Sequence, residues 1–166
     1  MEENKVFHLG LCLAGSVSAG SYTAGVLDYL LDALKIWEER KRQNLADTPT
    51  HDVRISVIGG ASGGGMTGII ASSTLQNDII PVKFPTSLTA KLAAQTPPQL
   101  YHAWVDMLGE DMFSMMLDTS DIEKNSTIAS LLNSDFIDKL ADNLLRKEEY
   151  NKKKFPAYIS SPLKVF

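Results

Sequence analysis

The chain has 166 residues, 44% hydrophobic and 22% charged, with 16 Lys+Arg against 20 Asp+Glu and a net charge of −4. That length suits one domain able to hold its own core. The composition excludes a disordered chain and the basic footprint of a nucleic-acid binder, and a single cysteine, Cys12, excludes an internal disulfide or a cysteine-rich metal site.

In chain order, Val6–Leu13 reads as a buried strand rich in β-formers and leucine. It opens a stretch of 22 residues, between Lys5 and Asp28, that carries no formal charge. A second charge-free stretch of 23 residues lies between Arg54 and Asp78. Either is long enough to cross a bilayer. Together, however, they hold ten of the chain's eleven glycines, interspersed with Ser16, Ser18, Ser21, Thr23, Ser62 and Thr67. Glycine at that density marks turns and close backbone approach, so each stretch reads as strand, glycine turn, helix. The leader Met1-Glu2-Glu3-Asn4-Lys5 lacks the positive charge of an export signal, and Leu11 before Cys12 does not fit a lipoprotein signal. The chain is therefore expected to be cytoplasmic or peripheral to a membrane.

Val26, Leu27, Leu30, Leu31, Leu34 and Trp37 recur at helical spacing, which predicts a helix from near Gly20 to near Arg42. Its end, Arg40-Lys41-Arg42, complements the negative pole of a helix dipole. A polar connection from Asn44 to Asp52 leads to a second strand, Val53–Ile58, and a short helix follows from Gly64 to about Ser73. Four prolines within Leu75–Pro98 predict an irregular excursion. Gln99–Leu108, Ser126–Leu132 and Phe136–Arg146 read as helices, the last with Ser134 as N-cap, and Ala157–Ile159 begins another strand. The order implies an α/β domain, a mostly parallel sheet with helices on both faces.

Three chemistries can be laid on the second glycine turn. Gly63-Gly64-Gly65-Met66-Thr67-Gly68 fits G-x-G-x-x-G, but no acidic residue stands about 20 residues on to hold a ribose. Gly60 to Thr67 fits a phosphate loop, except that Met66 stands where the lysine must be. Gly60-Ala61-Ser62-Gly63-Gly64 completes G-x-S-x-G, in which a strained strand-to-helix turn lifts a serine hydroxyl clear of the sheet. A glycine-rich turn with a solvated serine is the plainer reading of those five residues. Their place between a strand and an apolar helix favours the elbow.

The first stretch decides between these readings. Gly15-Ser16-Val17-Ser18-Ala19-Gly20, then Tyr22, Ala24, Gly25, Val26 and Leu27, followed some forty residues later by Gly60, Ser62 and Gly64, resembles the patatin-like phospholipases. In that family a glycine-rich loop, G-G-G-x-[RK]-G, and a helix opening A/S-Y-x-A-G-V-L precede the G-x-S-x-G elbow. The resemblance implies lipid acyl-ester hydrolysis by a Ser–Asp dyad, without metal or cofactor. Ser62 is the implied nucleophile, Gly15, Ser16 and Val17 with Gly63 the implied oxyanion hole, Gly60 and Gly64 the elbow glycines, and Gly20 the end of the loop. The implied partners are a lipid or other acyl ester and transient contact with a membrane surface.

Two departures stand out. Gly15-Ser16-Val17 replaces three glycines, and Ala19 replaces the family's Arg or Lys, so the alternative reading is a non-catalytic patatin-like binding or scaffold domain. The family's aspartate lies in D-G-[GA], and no glycine of this chain follows an aspartate. Residues 1–166 are accordingly expected to be the front part of a single patatin-like domain, with the base beyond Phe166. His8, His51 and His102 are the local alternatives. Of the smaller features, Met107, Met112, Phe113, Met115, Met116 and Leu117 are expected to be core under a loop more than an acyl-binding flap. Arg146-Lys147 and Lys152-Lys153-Lys154 are expected to be solvated, and Cys12 to be buried.

Overall fold

A computed structural model describes residues 5–16, 19–75, 100, 102–106, 112–120, 122, 130–135, 137–138 and 155–166. Its elements are strand β1 (Val6–Leu13), helix α1 (Gly20–Arg42), strand β2 (Asp52–Gly60), helix α2 (Gly63–Thr74), a π-helical turn (His102–Asp106), a short helix α3 (Met112–Leu117) and strand β3 (Ile159–Val165). The strands form one parallel sheet in the order β1-β2-β3, so the chain is an α/β protein. β2 is central, with Val53 opposite Phe7, Ile58 opposite Leu11 and Gly60 opposite Leu13. It runs two residues further than Val53–Ile58 predicts because Gly59 and Gly60 keep pairing with Cys12 and Leu13.

The helices bury one face of this sheet. α2 lies on β1 and β2 and packs against α1, which also touches the π-helical turn. Ile55 and Ile58 are buried beneath, with Ile70, Ala71 and Leu75 from the helical layer. α2 carries no charge and can lie flat because Gly68 brings its backbone down to the Ile58 side chain. The hydroxyls of Thr67, Ser72, Ser73 and Thr74 all donate to carbonyls three or four residues back. Polar atoms on an otherwise apolar helix are thereby satisfied within it.

The opposite sheet face carries Gly10, Cys12 and Arg54, all exposed among the described residues. Among the described residues the helices cover one face; the helices expected on the other face fall outside them. Cys12 is also exposed rather than buried, because strand alternation turns it away from Leu11 and Leu13. The expected excursion over Leu75–Pro98 falls outside the described residues except for Leu75, as do most of the helices read over 126–132 and 136–146. Ser130–Leu132 forms a bend, with the Ser130 hydroxyl donating to the Leu132 carbonyl and accepting its N–H. At the next turn Asn133 Oδ1 accepts the N–H of Asp135 at 2.8 Å, and Ser134 directly precedes the first helical residue, Asp135. In α3, Phe113 and Leu117 are 76% and 63% exposed, with Met115 and Met116 half-buried, so this helix is not a core segment.

α1 buries Gly20, Ala24, Leu27, Asp28, Leu31 and Leu34, one stripe along 23 residues. Its far end is tied to the start of β2 by Lys41. The ammonium bonds Asp52 Oδ1 at 2.8 Å and Glu38 Oε1 at 2.6 Å, and lies 5.6 Å from the centre of the Trp37 ring. Burial pulls the Lys41 pKa down, but the hydrogen bonds to Asp52 and Glu38 outweigh it and the net shift is upward. The Lys41 hydrogen bond lowers that of Asp52.

Asp28 is the discordant member of the stripe. It is 9% exposed, and its Oδ1 has no hydrogen-bond partner among the described residues. Burial pushes its pKa up to about 6, against about 3.9 for a free aspartate. Between those values the folded chain holds a proton that the unfolded chain releases, so stability falls as the pH rises and the loss is complete above about 6. Asp28→Asn removes the ionisation and is expected to raise stability at pH 7.5 by about 1–2 kcal/mol while changing little at pH 4. Denaturant midpoints across that range check this, and an undiminished slope between pH 4 and 6 in the variant would refute it.

Candidate active site

The elbow is built by the backbone. After Gly60 the chain turns through Ala61 and Ser62 straight into α2, and the turn is closed by Gly64 N–H to Ala61 O at 2.9 Å and Met66 N–H to Ser62 O at 3.0 Å. Ser62 pays with φ 51° and ψ −126°, a positive-φ conformation that a residue with a side chain rarely adopts. It stands at the N-cap position, where a serine hydroxyl normally accepts an N–H of the first turn. Here it makes no such bond, and the residue is exposed.

Two glycines make the turn sterically feasible. A Cβ on Gly60 would stand 2.5 Å from Gly64 C and 2.6 Å from Gly64 O. One on Gly64 would overlap the carbonyls of Leu13 and Ala14. Strand β2, helix α2 and the exit of β1 thus meet main chain to main chain. No described glycine has a positive φ, so what these positions require is space.

The loop after β1 closes on the same turn. Ala61 N–H donates to Leu13 O at 3.3 Å. A Cβ on Gly15 would lie 3.0 Å from Ala61 O and 3.3 Å from Ser62 Cβ, and one on Gly63 would lie 2.6 Å from Ser16 O. Gly15, Ser16, Gly60, Ser62, Gly63 and Gly64 are therefore brought together, with Gly20 buried at the start of α1. Ser16 faces Gly63 through its carbonyl oxygen. Val17 lies outside the described residues. Gly63 N–H belongs to the first turn of α2, where amides have no acceptor within the helix and the dipole favours negative charge.

The histidines are placed elsewhere. His51 precedes β2, at the far end of a nine-residue strand from Gly60, which separates it from the elbow by about 25 Å of strand. Its ring meets Trp37 edge-on, with centroids 4.7 Å apart. His8 lies opposite Arg54 in the sheet, and its Nδ1 is 2.7 Å from Ser56 Oγ, which is in turn 2.8 Å from Ser160 Oγ. The side chain of His102 lies outside the described residues. Among the described residues no group of three or more His, Cys, Asp or Glu side chains is placed to hold a metal ion.

One residue at this site has no sequence motif. Trp104, half-buried on the π-helical turn, sets its six-membered ring against Gly20 and, 3.2 Å from a Cβ position, against Gly63. The helical reading of Gln99–Leu108 left its direction open. Only the two glycines, small where an ordinary helix start does not require it, signalled a bulky neighbour.

The chain is similar to y4iI, an uncharacterized protein of Sinorhizobium fredii (strain NBRC 101917 / NGR234), with 29% identity over 164 residues. That alignment takes in 96% of this chain and 23% of y4iI, so the chain spans about a quarter of its relative's length. No protein-family model matches the chain, and no solved structure matches it.

The packing at the elbow yields a paired test. Gly64→Ala drives a methyl group into two backbone carbonyls and is expected to cost at least about 2 kcal/mol, as severe overpacking does. Gly25→Ala, on α1 with nothing within 4 Å of its Cβ position, is expected to stabilise by about 0.5–1 kcal/mol through helix propensity. Denaturant unfolding of both variants checks the pair, and equal effects would contradict the close approach.

Proposed function

We propose that this chain carries the nucleophile and oxyanion elements of a serine acyl hydrolase of the patatin-like kind, acting on lipid esters. The observation that carries the reading is Ser62, exposed and without a capping bond, at φ 51° between a parallel strand and a helix N-terminus. Strain of this kind at a strand-to-helix serine fits a nucleophile elbow. A solvated serine in an ordinary turn has no need of it.

In this reading Ser62 Oγ attacks the ester carbonyl as its proton passes to a base. The carbonyl oxygen becomes an oxyanion, held by Gly63 N–H and by amides of the loop that begins at Gly15. Collapse of the tetrahedral intermediate breaks the ester C–O bond, and the alcohol leaves with the proton. Water then resolves the acyl-enzyme by the same steps. Positive charge near the oxyanion comes from the α2 dipole, because Ala19 offers no cation.

His51 is remote from Ser62 and His8 is engaged with Ser56, so neither suits the role of base. The arrangement of β3 suggests where a base enters. Phe166 N–H donates to Ile58 O at 2.9 Å, and Gly60 N–H donates to Phe166 O at 3.0 Å. In this reading the base is an aspartate of a D-G-[GA] motif supplied by chain beyond Phe166, a residue that pairs at the elbow end of β2. The rest of the protein, its lipid substrates and its contact with a membrane surface belong to the same proposal.

A fluorophosphonate probe tests it in the complete protein. Labelling is expected at Ser62 and is expected to vanish in Ser62→Ala, with hydrolysis of short esters falling by about 10³-fold or more. Labelling that persists in that variant sinks the nucleophile assignment. A parent protein that takes up no probe favours the binding or scaffold domain.

A further inference from the structure

Trp104 occupies the space between the two glycine turns. Cζ2, Cζ3 and Cη2 of its ring are the three atoms nearest a Cβ built on Gly20, and all would overlap it. The same Cη2 lies 3.2 Å from a Cβ position on Gly63. Gly20 is the first residue of α1, and Gly63 is the first residue of α2 and the neighbour of Ser62. One rigid ring thus touches the starting residues of both helices. Ser16 O stands 2.6 Å from the same Cβ position on Gly63. The indole N–H is buried and has no hydrogen-bond partner among the described residues, and the ring packs against both glycine positions.

We propose that Trp104 is a positioning residue for the Ser62 site. Wedged between the first residues of α1 and α2, it sets the distance between the glycine loop and the elbow, and so the aim of Gly63 N–H at the oxyanion. The catalytic half of this proposal rests on the hydrolase reading; the wedge does not. An amide directed at developing charge acts through its alignment, and small displacements of such a donor weaken the transition state more than they weaken substrate binding. Truncating the ring leaves Gly20 and Gly63 without the surface that stops them.

The test uses the complete protein in four forms: parent, Gly20→Ala, Trp104→Ala and the double variant, with Trp104→Phe as a milder fifth. Thermal melting reads the wedge. Gly20→Ala is expected to lower the Tm of the parent markedly but to leave the Trp104→Ala background unchanged or slightly raised, because the nearest atoms it meets all belong to Trp104. Additive penalties overturn the wedge. Ester hydrolysis reads the positioning. Trp104→Ala is expected to lower kcat by about 10- to 100-fold with KM nearly unchanged, measured at a temperature where melting shows the variant folded. Trp104→Phe, which keeps a ring in the gap, is expected to retain at least about a third of kcat. Parental kcat in folded Trp104→Ala, or a change confined to KM, overturns the positioning role. Hydrolysis that survives Ser62→Ala overturns the hydrolase reading and the positioning role with it, and the melting cycle still decides the wedge.

Discussion

At the carboxyl end of the sheet, three stretches of main chain touch with no side chain between them. Gly60 lies against Gly64, Gly64 against the carbonyls of Leu13 and Ala14, and Gly15 against Ala61. That close approach fixes almost everything else at the site. It seats α2 directly on β2, brings a Cβ position on Gly15 to 3.3 Å from Ser62 Cβ, and goes with a positive φ at Ser62. Its cost is met by Ile55, Ile58, Ile70 and Ala71, buried just beneath and holding strand and helix together. Packing of this kind converts an unfavourable φ/ψ at one residue into a stable and exposed hydroxyl.

The two ends of the sheet are organised on different principles. At the carboxyl end, contacts are between uncharged backbone atoms, and space is the controlling quantity. At the amino end, Lys41 joins α1 to β2 through Asp52 and Glu38, and Trp37 donates its indole N–H to Pro49 O. Charge and hydrogen bonding there anchor the far end of α1, a helix of 23 residues that starts beside the elbow. A helix held at both ends presents Gly20 at a defined height above the sheet, which gives the Trp104 ring a firm surface to bear on.

Much of this was legible in the residues. The bounds of β1 and α1 follow from apolar runs and the 3.6-residue repeat, and the start of α2 from the glycine turn. Gly60, Ser62 and Gly64 could be singled out because a strand-to-helix turn this tight places a narrow demand on residue size at fixed spacing. Other features depend on what lies across the fold. Asp28 follows Leu27 on a face that periodicity marks as apolar, and no local signal told whether it would be buried. Cys12 looked buried because its strand is apolar, yet burial depends on which sheet face the helices take. The direction of Trp104 was open for the same reason, since its partners are about 40 and 80 residues away in sequence.

Ser56 also records how far apart in sequence the strands of this sheet are. Its partner on β1, His8, is 48 residues away, and its partner on β3, Ser160, is 104 residues away. Closing the longer loop costs only about 0.6 kcal/mol more chain entropy than closing the shorter one. Speed is more sensitive than stability to such separation, since distant pairings form slowly. The unit β1-α1-β2-α2 contains both glycine turns and Ser62, and it can assemble from its own nearer contacts. The strand that ends at Val165 then docks on an edge of β2 already shaped by that unit. Sequence separation thus favours an order of formation in which the elbow precedes the third strand of the sheet that carries it.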